Sequence, residues 1–495
     1  MKRLGRFALF LGLLVLPACL PIPDTRQGLE LPEPLYQLPP EQVRVDYLTL
    51  PGYPEPHTPT RYNRAAYLRY YAGPEPAGTV IVLMPGIFGG AASLDIYARQ
   101  LVAAGEGLEV WAVDRRANLL EDRAVYLESL RTGNPRLAYD YYVTNAGKEG
   151  GFVPLAPQEV PFLAFWGLEV HLHDLDAVVR RARESATRVV LGGHSLGASI
   201  VSLYAAYDFG EPGRQEPGYR AIDGLILIDG SLGRTGGYAI DDPSFRIGPL
   251  TLIPSIAELE AGLASPYFNW VGRTPYSSAR QEAAALLALY DPEGLSPGGL
   301  FDFPVTNRAA TGLMIDDHYA SSTVFSASVG RALHAKVAGN LAAVLLGGWE
   351  GVSSQSVVGV APGYDYVDWE RGDKARERTD LDSLLKALAM PEANFTEWYF
   401  PVRLLLDLSR LDPRLGEEGF VPSRTVPTPT LAVGAGRGLV SSLDSFSAYM
   451  NARPEAPFSA YILPGLTHHD IVMAEHNPLV PLSLLWLGGL RAARS

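Results

Sequence analysis

Six short apolar runs, each bounded by Gly or Pro, alternate along this chain with longer stretches of helical periodicity, and that alternation restricts the fold more than any other feature. The runs are TVIVLMPG (79–86), GLEVWAVD (107–114), RVVLGGHS (188–195), GLILIDG (224–230), TPTLAVGAG (428–436) and FSAYILPG (458–465). Unbroken apolar runs of this length are strands buried on both faces, which is the situation of a parallel sheet. The stretches 94–105, 168–186, 196–209, 441–452 and 478–493 carry apolar residues at helical spacing and would cover those faces. Two further strands, VRVDYLTL (43–50) and RAAYLRYYA (64–72), precede them. The expectation is an α/β fold built on a mostly parallel central sheet with helices on both sides.

The alternation stops for nearly two hundred residues. From Gly233 to Val426 there are loop clusters (RTPYSS, EGLSPGGLFDFP), helical patches such as SARQEAAALLALY, and no convincing buried strand. Residues 233–426 therefore read as a large, mainly helical cap or lid inserted after strand 6, between core segments 43–232 and 427–495. A composition of 47% apolar and 19% charged residues supports a core of this size and excludes global disorder. A net charge of −13, with no basic run beyond the extreme N-terminus, argues against a nucleic-acid partner.

Two copies of the pattern GxSxG occur, centred on Ser195 and Ser296. Only Ser195 follows a strand and opens a helix. Ser296 follows a helix and an Asp-Pro turn, with Pro297 beside it. A strand-turn-helix elbow lifts the serine hydroxyl above the sheet edge in a strained backbone conformation, and Gly193 and Gly197 are needed where side chains would collide with strand and helix. The amide of Leu196, at the helix N-terminus, can then donate to a developing oxyanion.

With GHSLG in that setting, LMPGIFGG after an upstream strand and PGLTHHDIV after the last strand, the chain resembles the α/β-hydrolase family over about 43–230 and 427–493. The resemblance implies a Ser-Asp-His triad, no metal and no organic cofactor. It implies a second oxyanion donor at Ile87, with Phe88 next, and a base at His468, three residues after Gly465, with His469 as the alternative. The family's usual acid position after the seventh strand is Gly438 here. Asp229, at the tip of the sixth strand, is the first substitute, Asp444 the second and Asp470 the third, with the cap acids Asp316 and Asp317 behind them.

His171, His173, Asp174 and Asp176 form a metal-like cluster, HLHDLD, without further ligands nearby, and read as a solvated helix face; His318 and His334 carry no assignment. Tyr267, Phe268, Trp270, Tyr276, Phe301 and Phe303 would either wall an apolar ester site or form the core of the cap.

The N-terminus MKRLGRFALFLGLLVLPAC has three cations, an apolar run too short to span a bilayer, and Leu16-Pro-Ala-Cys19, which resembles a bacterial lipobox. The resemblance implies a signal peptide over 1–18, acylation at Cys19 (the only cysteine), a Pro-rich tether over 19–42, and a membrane-attached protein of the cell envelope on its periplasmic or extracellular face. The combined expectation is a lipid-anchored esterase or lipase that acts on small, apolar esters through an acyl-enzyme on Ser195. A non-catalytic binding lipoprotein on the same scaffold, or an acyltransferase or peptidase using the same triad, is the alternative.

Overall fold

The computed structural model describes residues 33–492 apart from 76, 212, 231–244, 248–249, 270–273, 321–325, 340–354, 411–418 and 454–455. The expected signal peptide, Cys19 and most of the tether lie outside the described residues, as does Trp270.

The eight expected strands all form and join in one sheet. They are β1 (Arg44–Pro51), β2 (Arg64–Tyr71), β3 (Thr79–Met84), β4 (Leu108–Asp114), β5 (Arg188–His194), β6 (Gly224–Ile228), β7 (Thr430–Arg437) and β8 (Phe458–Thr467). Their spatial order is β1-β2-β4-β3-β5-β6-β7-β8. β2 runs antiparallel to both of its neighbours, and every other adjacent pair is parallel. This is the topology of the α/β-hydrolase fold.

The pleat explains how continuous apolar runs serve both faces. Ile81 and Leu83 of β3 pack with the helices Asp95–Ala104 and Leu479–Ala492, whereas Val80, Val82 and Met84 pack with the helices Leu168–Ser185 and Leu196–Ala206. The chain leaves β3 toward β4 on one side and resumes at β5 on the other. The carboxyl ends of β3 and β5 therefore flank a topological switch point, the place where ligands bind in open α/β sheets.

Residues 233–426 contribute the helices Pro275–Tyr290, Asn307–Ile315, Leu381–Leu388 and Val402–Arg410. They also contribute two-stranded ladders at 245–247/250–253, 331–333/368–370 and 335–339/355–360. These ladders are three to six residues long, and the two for which burial is described have mostly half-exposed side chains, so they lack the apolar runs that make a strand visible in sequence. The insertion shares its apolar core with the sheet: Ala309, Leu313, Trp369, Leu384 and Leu385 belong to the same packed cluster as Tyr97, Leu101 and Val433.

Candidate active site

β5 ends at His194 and a helix begins at Leu196, leaving Ser195 between them with φ 56° and ψ −123°. That backbone conformation is costly for an L-residue and is retained only where the surroundings enforce it. Here they do. The Ser195 amide donates to Ile228 O at 2.8 Å, and a Cβ on Gly193 would overlap the carbonyl of Gly197, as a Cβ on Gly197 would overlap that of Met84. Both glycines of GHSLG are therefore required by close backbone approach. Ser296 has none of this: it lies in the insertion between the helices Pro275–Tyr290 and Asn307–Ile315, where its hydroxyl pairs with Tyr139 Oη at 2.9 Å.

The loop after β8 brings His468 to the same cavity as Ser195; Ile87, Phe88, Leu384 and Phe395 also line it. The Nδ1 of His468 lies 2.6 Å from Asp229 Oδ2, and both side chains are buried. With Nδ1–H donating to the carboxylate, Nε2 is left as the acceptor of the ring. Asp229 follows β6 with a positive φ of 42°, and its carboxylate also accepts from the backbone amides of Ala435, Leu439 and Val440, each at 2.9 Å. Burial opposes its ionisation. The hydrogen bond and charge of His468, with the Ala435 and Leu439 amides, outweigh that and hold its carboxyl below the usual aspartate value.

The other candidates fall elsewhere. Asp444 is exposed at the start of a short helical turn. The carboxylate of Asp470 accepts from Ser328 N, Ser328 Oγ, Thr379 Oγ1 and Thr467 N, which ties the loop carrying His468 to the insertion and leaves the imidazole to Asp229. His469 borders the cavity with its ring 5.3 Å from that of His468. His194 is buried, stacks on His468 at 4.5 Å and pairs through Nε2 with His468 O at 2.8 Å. Burial and the neighbouring His468 push its pKa down to about 3, so it stays neutral.

Leu196 opens its helix, so its amide has no acceptor within that helix. Ile87 lies in the turn after β3, and a Cβ on Gly86 would come within 2.9 Å of Ser195 Cβ, so this turn packs directly against the serine. Phe88 has φ 57° and its carbonyl accepts from Glu397 N at 2.9 Å.

The HLHDLD segment differs from its expected solvated face. His171, Asp174 and Asp176 are buried: His171 Nδ1 pairs with Gly167 O, Asp174 with the guanidinium of Arg116, and Asp176 with Tyr204 Oη and Arg180. The sequence signal was misleading because the partners, Arg116 and Tyr204, come from distant segments. In the insertion, Asp316, Asp317 and His318 cluster within 4.8 Å, but Asp316 accepts from His318 Nδ1 and from Val329 N and Gly330 N, and Asp317 pairs with Arg437. His334 stacks on Tyr364. Of the expected aromatic wall, Tyr267 packs on Tyr399, Phe268 on Phe88, Tyr276 on Phe152 and Phe301 on Phe303, and none of these five lines the cavity around Ser195.

Two buried residues at this site had no motif to announce them. Arg115, the first residue after β4, donates from Nη1 to Pro85 O (2.9 Å) and from Nη2 to Gly86 O (2.7 Å) and Gly89 O (2.9 Å). Its Nε and Nη2 also meet Glu397 Oε2 at 2.9 and 2.5 Å.

The fold and the constellation at its switch point define an α/β-hydrolase scaffold with a serine elbow and a histidine-carboxylate pair opening on one cavity. No protein-family model matches the chain, and no curated protein matches it in sequence. Among solved structures it is similar to a Sulfolobus solfataricus protein assigned as a lipase (17% identity, TM-score 0.47, covering 92% of this chain and 96% of that one). It is also similar to a thermophilic esterase from Thermogutta terrifontis (10%, TM-score 0.36, covering 90% and 99%) and to the monoglyceride lipase of Saccharomyces cerevisiae (11%, TM-score 0.37, covering 92% and 98%). At such values these likenesses carry no information on substrate.

Proposed function

We propose that the protein is a serine hydrolase that cleaves carboxylic esters through an acyl-enzyme. The observation that carries this reading is the 2.6 Å pairing of Asp229 with His468 at a cavity shared with the strained Ser195. Ser195 Oγ attacks the ester carbonyl carbon while His468 Nε2 takes its proton. The amides of Leu196 and Ile87 hold the oxyanion, and the tetrahedral adduct collapses by expelling the alkoxide, which takes the proton back from His468. Water then repeats the sequence and releases the acid. Asp229 fixes the imidazole tautomer and offsets its charge. Cavity walls of Ile87, Phe88, Leu384 and Phe395 favour esters with apolar acyl or alcohol parts.

With Asp229 2.6 Å from His468, no observation favours the binding-protein alternative. The same proposal places the chain at the cell envelope, tethered through Cys19; its support is the sequence of residues 1–19, and mass analysis of the mature N-terminus tests it. No helix among the described residues is long and apolar enough to cross a membrane.

Turnover of p-nitrophenyl esters tests the function. Ser195→Ala and His468→Ala should each lower kcat by roughly four orders of magnitude or more. Unchanged turnover in Ser195→Ala would overturn the reading.

A further inference from the structure

We infer that Arg115, held by Glu397 of the insertion, is the positioning residue that sets the peptide plane of the oxyanion loop. The inference rests on the ester-hydrolase reading of the same site. In a planar trans peptide the N–H points opposite to the preceding carbonyl, so fixing the Gly86 carbonyl fixes the direction of the Ile87 N–H. The guanidinium takes the carbonyls of Pro85, Gly86 and Gly89 together, and on the Gly86–Ile87 peptide it stands on the carbonyl side, opposite the Ile87 N–H. Only a planar fork of five donors can hold three carbonyls and a carboxylate at once; an ammonium is a point charge with three donors.

The insertion completes the clamp. Glu397 N donates to Phe88 O at 2.9 Å, Gly90 N to Phe395 O at 2.9 Å, and Gly89 bridges to Thr396. The carbonyls of Pro85, Gly86, Phe88 and Gly89 are thus all engaged by Arg115 or by Glu397 N. Arg115 and Glu397 are each almost fully buried, and neither touches the cavity. Their effect on the reaction passes through the loop. The Nη2–H donated to Gly86 O also polarises the Gly86–Ile87 peptide in the sense that favours negative charge at its N–H.

The test counts active sites by stoichiometric fluorophosphonate titration and reads kcat and KM per titrated site, together with the Ki of an arylboronic acid, whose tetrahedral adduct uses the same hole. Arg115→Met strands the Glu397 carboxylate and risks misfolding, so Arg115→Met/Glu397→Met, which removes both buried charges, and Arg115→Lys are measured beside it. The double variant should lose about 10²-fold in kcat with KM within about threefold, and the boronate Ki should weaken by a similar factor. Arg115→Lys should recover part of both. A double variant that keeps the kcat per titrated site and the boronate Ki of the wild type overturns the inference, as does a loss confined to the number of titratable sites. Either result leaves the hydrolase reading standing if wild-type protein is titrated and turns over; a wild type that is neither titrated nor active overturns both.

Discussion

A Cβ on Gly438 would overlap the Oδ2 atom of Asp229. The end of β7 and the loop after it still form a carboxylate site, lined by the amides of Ala435, Leu439 and Val440, but the carboxylate that fills it arrives from β6. Glycine at 438 is the consequence of that arrival, since any side chain there would displace the acid. Asp229→Asn should lower kcat by about 10⁴-fold, because the amide presents the wrong hydrogen-bonding group to Nδ1, while Asp444→Asn should leave kcat unchanged.

The shared space also makes the acid transferable. Gly438→Asp alone should disrupt the site by collision. In an Asp229→Gly background the same change should raise kcat at least tenfold over the single variant, as a carboxylate returns to the same amides. Steady-state kinetics on the four proteins decides this, and a double variant no better than Asp229→Gly would show that the two positions do not exchange.

Asp470 is predicted to act on stability. Its buried carboxylate accepts four hydrogen bonds, three of which join the His468 loop to residues 328 and 379 of the insertion. Asp470→Asn turns an NH₂ toward those donors and should cost about 1–3 kcal/mol, read as a lower denaturant midpoint with an unchanged slope.

Glu282 gives the protein a pH dependence of a definite sign. Burial, the dominant cause, pushes its carboxyl up to about 7 although it accepts from Thr396 N and Oγ1. A folded-state value above the unfolded one means that this contribution to stability is complete below the ordinary value of 4.5 and is lost as pH rises to about 7. Glu282→Gln keeps an acceptor for Thr396 without the charge, so it should flatten the fall in Tm across that window and be more stable than the wild type at pH 8. Asp229, whose carboxyl is held low, works in the opposite sense: its contribution is present above the ordinary value and is lost as acid is added.

What the sequence revealed and what it hid follows from the range of the interactions. The sheet strands and Ser195 are encoded locally, in apolar runs and in a GxSxG pattern placed between a strand and a helix, although Gly197 also answers to the remote carbonyl of Met84. Asp229 could be ranked first only by excluding Gly438, because the reason for that glycine lies 209 positions away in the chain. Arg115 and Glu397 are 282 residues apart and leave no pattern, and the buried Asp174 pairs with Arg116, 58 residues away in the chain. The ladders 331–333/368–370 and 335–339/355–360 stayed hidden because their mostly half-exposed residues carry neither period.

The proposed role of Ser195 as nucleophile has a direct chemical test. A fluorophosphonate probe followed by peptide mass mapping should place one adduct on Ser195 in the wild type, none in Ser195→Ala, and slow labelling in His468→Ala. An adduct that persists in Ser195→Ala, or that maps to Ser296, would remove Ser195 from that role.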